Sequence, residues 1–197
     1  MREICSYGSA GGEIGNPDLP YPDIHADPVS IAYRSGQTSP GWDILLRNVI
    51  AAALARHAVQ VTNLSVAVVN DAEMAALHER HLLQSGPTDV LTFDLRDEAD
   101  RRSAGRQVLD GEIIISTDTA AREAKRRGHG MEAELALYVV HGVLHLLGYD
   151  DQTAAQAERM HAVEDAILVA VGLGPVFASA RASSSKPALP RDRAVAR

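Results

Sequence analysis

The chain is 197 residues long, carries a formal net charge of −7 and holds one cysteine. That length suits one domain with a sizeable core and tails, and the lone Cys5 excludes an intramolecular disulfide and fits a reducing, cytoplasmic setting. No apolar run reaches membrane-spanning length, the N-terminus lacks the basic-then-apolar order of a secretory signal, and the acidic balance gives no bulk attraction to nucleic acid.

Residues 1–40 are rich in Gly, Pro, Ser and Asp, with turn signals at Asn16-Pro17-Asp18 and Tyr21-Pro22-Asp23. They read as a disordered leader. Residues 42–57 carry Leu45, Leu46, Val49, Ile50 and Ala53 at helical spacing. The β-branched run at 64–69 reads as a strand. Asn70-Asp71 then starts a short helix that includes Met74 and ends at Leu82. Ser85-Gly86-Pro87 breaks the chain. A second strand is expected at 90–95, a charged loop at 97–107, and a third strand at 109–116 around Ile113-Ile114-Ile115. Thr117-Asp118 opens an Ala-rich helix to Arg127, stopped by Gly128-His129-Gly130. Two more helices follow, at 132–147 and 153–171, the second with Met160, Val163, Ile167 and Leu168 as its apolar stripe. Residues 178–197 read as a disordered basic tail; 176–197 hold five Lys or Arg against one Asp.

Helices and a few strands mix without a regular βαβ repeat. The expected fold is therefore α+β, a single domain over 41–177 with a small mixed β-sheet packed against about five helices. Within the 132–147 helix the run from Leu135 to Leu147 is almost wholly apolar, so the helix belongs in the core.

That helix carries the chemistry. His141 and His145 lie four apart, so both imidazoles project from one side, one turn above the other, where a single metal ion can bridge them. Gly148 ends the helix, and the returning chain offers Asp150 or Asp151 as a third ligand. Two nitrogens and one carboxylate leave a zinc position open, the pattern of a catalytic site. Two neighbouring buried histidines with neither metal nor partner would be costly. The zinc-protease helix has Glu directly after its first His as general base. Here that position is Gly142, which argues against peptide hydrolysis by that mechanism. The run Arg122, Lys125, Arg126 and Arg127 suits either a solvated helix end favoured by the dipole or a grip on phosphates.

Three motifs in order, Gly86-Pro87-Thr88-Asp89-Val90-Leu91-Thr92-Phe93, Leu109-Asp110-Gly111-Glu112-Ile113-Ile114-Ile115-Ser116 and His141 to Asp151, resemble the YbeY family over residues 43–172. Members are single-domain bacterial metalloproteins implicated in ribosomal RNA maturation and described as endoribonucleases. The resemblance implies one zinc per chain held by His141, His145 and Asp151, with Asp151 standing where the family usually has a third His. Carboxylate oxygen binds zinc at nearly the same length as imidazole nitrogen, but its charge makes for a weaker nucleophile at the site. Asp150 then orients a ligand or caps the turn. A second departure lies upstream of Pro87: His81 and Leu82 occupy positions where the family usually has an aromatic residue followed by Arg. An Arg there suits a phosphate.

The implied function is a metal-dependent, single-strand-specific endoribonuclease of ribosomal RNA processing, partnered by RNA and cytoplasmic. The Leu82 departure motivates a rival, a non-catalytic ribosome assembly factor with a structural or vestigial metal. A hydrolase of another substrate is a third option. Thr88, Asp89, Asp110 and Glu112 each read equally as structural or as cleft residues.

Overall fold

The computed structural model describes residues 27–57, 59–102 and 107–177. In chain order the elements are β1 (Val29–Tyr33), α1 (Trp42–Leu54), β2 (Val59–Val69), α2 (Asp71–Leu82), β3 (Val90–Asp94), α3 (Glu98–Arg102), β4 (Gln107–Ser116), α4 (Thr117–Arg127), α5 (Met131–Leu146) and α6 (Ala154–Ala170). The four strands form one sheet in the order β1-β2-β4-β3. β1 runs parallel to β2 and β2 parallel to β4, while β3 lies antiparallel on β4. The sheet is mixed, as an α+β domain with few strands allows.

Alternation along the central strands sorts the core into two faces. Leu64, Val66 and Val68 of β2 and Leu109, Ile113 and Ile115 of β4 join α1, α5 and α6 in the larger cluster. Ala67, Val69 and Ile114 point the other way and pack with Met74 of α2 and Leu91 of β3. Within α5, Leu135, Val139, Val140, Val143 and Leu144 are all at 1% exposure or less. Each such side chain contributes about 1.5–3 kcal/mol by burial, so α5 is held as a central rod.

α5 lies unusually close to β4. A Cβ built on Gly142 would stand 2.9 Å from Ile113 Cδ1 and Cγ2, and one on Gly111 2.7 Å from Leu146 Cδ1. Glycine on each element lets the two backbones approach, which brings the histidines of α5 to the end of β3.

Three boundaries differ from the sequence reading. β1 lies inside the segment assigned to the leader, because Val29, Ile31 and Tyr33 alternate inward and pair alongside residues 64–68. β2 begins at Val59 rather than residue 64. Its first half carries exposed Gln60, Thr62 and Asn63 across a register shift between Val61 and Asn63, where Thr62 Oγ1 donates to the Leu109 carbonyl at 3.1 Å. Asp97 Oδ1 accepts the Asp100 N–H at 2.8 Å and starts the short α3 where a loop was expected. The turn signals at 16–23, Cys5 and the segment 178–197 lie outside the described residues. No helix among the described residues is long and apolar enough to cross a membrane.

Candidate metal centre

The centre forms at the C-terminal end of α5. Gly148, at φ +91°, takes the left-handed conformation that turns the chain back, with Gly148 N–H on the His145 carbonyl and Tyr149 N–H on that of Leu144. This fold-back carries the Tyr149 carbonyl to 3.1 Å from His145 Nδ1. A carbonyl only accepts, so His145 keeps its proton on Nδ1 and leaves Nε2 a bare lone pair. His141 Nδ1 lies 2.8 Å from Oε1 of Glu164 on α6, a carboxylate at 0% exposure. That carboxylate holds the second imidazole in the same tautomer.

The two Nε2 atoms consequently face each other at 2.9 Å. Asp151 Oδ2 is 3.9 Å from His141 Nε2, and one ligand atom from each of His141, His145 and Asp151 lies within 4.8 Å of the others. Two lone pairs aimed at each other repel unless a cation or a shared proton stands between them. Burial alone would lower the basicity of His141, but the hydrogen bond to Glu164 and the charges of Glu164, Asp151 and Asp89 outweigh it, and its pKa is raised. The other Glu164 oxygen is sealed from solvent and has no hydrogen-bond partner among the described residues, a charge that a nearby cation would offset. Two imidazoles and a carboxylate, one face open, are a donor set that fits a borderline divalent ion such as zinc.

The open face looks into a cleft of about 400 Å3 walled by Leu82, Val90, Leu91, Thr92, Phe93, Asp94, His141, His145 and Leu146. Leu82 is half exposed in that wall, and His81 lies edge-on to Phe93 with ring centroids 5.2 Å apart.

The other sequence candidates divide. Asp150 caps the turn, accepting from the Asp151 and Gln152 N–H groups at 2.8 and 3.3 Å. Asp89 accepts from the Thr88 hydroxyl and the Val90 N–H. Asp110 accepts from Asn63 Nδ2 on the neighbouring strand, and neither Asp110 nor Glu112 lines the cleft. The three arginines of the basic run of α4 are paired within the protein: Arg122 with Asp71, Arg126 with Glu123, and Arg127 with Glu123 and Glu134. Glu164 was missed by sequence reasoning; its signal was a carboxylate set between Met160 and Ile167 within the apolar stripe of α6.

Fold and centre together define a small α+β protein with an open cluster of two imidazoles and one carboxylate, compatible with a metal ion. Comparison with known proteins narrows this. The family model described as "Endoribonuclease YbeY" matches residues 33–172. A Moorella thermoacetica protein of that name is 44% identical over 127 residues, spanning 62% of this chain and 81% of the relative. A Heliobacterium modesticaldum protein of the same name is 36% identical over 150 residues, spanning 71% and 89%. The chain belongs to the YbeY family. A Thermotoga maritima protein solved in solution shares the fold at TM-score 0.53 and 24% identity, over 83% of this chain and 99% of that one.

Proposed function

We infer that this protein is a metal-dependent endoribonuclease that acts on single-stranded RNA in ribosomal RNA processing, in the cytoplasm, with one zinc held by His141, His145 and Asp151. The observation that carries the reading is the pair of Nε2 atoms 2.9 Å apart, each imidazole pinned through Nδ1 to an acceptor. A divalent ion held by these residues would supply Lewis-acid polarisation of a phosphoryl oxygen. The chain's own part is to hold the site in shape. Glu164 and the Tyr149 carbonyl fix the two tautomers, Gly148 sets the turn, and the apolar wall of Leu82, Val90 and Phe93 excludes water from one side of the cleft. Gly142 faces the sheet through Ile113, so no carboxylate stands where a zinc protease keeps its base. Membership of a family named for endoribonuclease activity does not favour the non-catalytic assembly factor.

The test is metal content by mass spectrometry of tag-free protein beside His145→Ala, followed by cleavage of a single-stranded ribosomal RNA fragment. About one zinc per chain, lost in the variant together with cleavage, is the expected result. Cleavage retained by folded His145→Ala would sink the assignment.

A further inference from the structure

A second cleft, of about 180 Å3, adjoins the metal cleft along Val90 and His141, which line both. Its remaining walls bring together Asp89 ahead of β3, Arg127 at the end of α4, Tyr138 on α5, His161 on α6 and Phe177 beyond it. The aromatic side is held in place. The His161 and Phe177 rings stack with centroids 3.8 Å apart at 11°. Asp165 Oδ1 accepts both the Val176 and the Phe177 N–H, at 2.8 and 3.0 Å, and so fixes the turn that carries Phe177. Flat ring surfaces beside a strand path are what unpaired nucleobases stack on.

Charge decides against a phosphate in this cleft. Asp89 stands in the wall, and Arg127 is already paired with Glu123 at 3.4 Å and with fully buried Glu134 at 3.3 Å. An anion would meet more negative charge than positive. Size points the same way: pockets for drug-sized ligands start at about 300 Å3, so this one suits a single ring. Asp89 sets the polarity of its edge. Oδ1 takes the Thr88 hydroxyl at 3.0 Å and the Val90 N–H at 2.9 Å. Neither bond uses Oδ2, and a carboxylate oxygen only accepts.

We propose that this cleft is a base-selecting subsite beside the metal centre. It takes cytosine, the single-ring base with an exocyclic amino group, through Asp89 and the His161–Phe177 wall, and rejects uracil. Cytosine presents N4–H2 as a donor, whereas the corresponding edge of a uracil-type base presents the O4 acceptor. Uracil would therefore set oxygen against oxygen at Asp89. The inference rests on the RNA reading above.

The test uses free nucleosides, so it needs no hydrolysis. The full-length protein is titrated with cytidine and with uridine while backbone amide NMR shifts are followed, then Asp89→Asn and His161→Ala are treated alike. Cytidine is expected to shift the amides of Val90, His161 and Phe177 and to bind roughly tenfold tighter than uridine. Asp89→Asn keeps the oxygen that bonds the Val90 N–H and replaces the other by a donor, so the preference should turn toward uridine. His161→Ala should weaken both nucleosides by roughly fivefold or more. Equal binding of the two, an unchanged preference in Asp89→Asn, or shifts of the same amides by inorganic phosphate would overturn the proposal. Failure to cleave any RNA would sink the nuclease reading alone and leave the nucleoside result to stand.

Discussion

Glu164 on α6 accepts the Nδ1–H of His141 on α5 at 2.8 Å, 23 residues away in sequence and sealed from solvent. The contact gives α6 a part in the candidate metal centre although it contributes no candidate ligand. Glu164→Gln keeps an acceptor but removes the charge that raises the basicity of the imidazole. Zinc affinity, measured by chelator competition, is expected to fall about 10–100-fold. The thermal midpoint of the metal-free protein should hold or rise, because a buried carboxylate with one unpartnered oxygen is gone. A fall in stability with unchanged affinity would mean that Glu164 serves packing alone.

The contrast between the candidate ligands and their support shows what the sequence could reveal. His141 and His145 were legible because four-residue spacing on a helix is a local geometric statement, and Gly148 marked the turn by the same logic. Glu164 was not, since its partner is remote and α6 had only its apolar stripe to declare. β1 failed for another reason. Val29, Ile31 and Tyr33 do alternate, but they stand among Pro, Ser and Gly residues, and the parallel pairing with residues 64–68 is not local. The second cleft draws on β3, α4, α5 and α6, so no single segment advertises it.

Gly142 separates helix from sheet by the width of a missing side chain. A Cβ there would approach three Ile113 atoms, Cδ1 and Cγ2 at 2.9 Å and Cγ1 at 3.0 Å, on a β-branched residue with little freedom to turn away. Gly142→Ala should gain about 1 kcal/mol of helix propensity and lose about 1–3 kcal/mol to overpacking, for a net loss in urea unfolding. Combined with Ile113→Ala, the second change should cost less than it does alone. Strictly additive effects would contradict the close approach.

Asp71 ties α2 to α4. It accepts from the Ser116 hydroxyl at 2.6 Å, from the Thr119 hydroxyl at 2.9 Å and from Arg122. Burial acts to raise its pKa, but these hydrogen bonds and the Arg122 charge outweigh it, and the net shift is downward. A depressed carboxylate stabilises the fold above its unfolded pKa, about 3.9, and loses that contribution as pH falls through the lower folded value. Asp71→Asn should therefore be less stable than the parent at neutral pH, by roughly 1–2 kcal/mol with its side chain only a quarter exposed. The gap should close as both are acidified below the ordinary aspartate range. A gap independent of pH would show that the charge contributes nothing.

Leu82 stands in the wall of the metal cleft with half its surface open, and no Lys or Arg lines that cleft among the described residues. A phosphodiester held there meets apolar side chains where a guanidinium would offer a fork of donors. Leu82→Arg should cost little stability, since it replaces a half-exposed apolar group at the end of α2 with a side chain whose stem can lie on the same surface. It should tighten binding of a single-stranded RNA oligomer and raise kcat/KM. One added phosphate contact steepens the dependence of log affinity on log salt by about 0.7 for a single strand. Affinity that rose with no change in that slope would mean that Arg at 82 acts by stacking on a base. No change in either quantity would take the substrate path away from this wall.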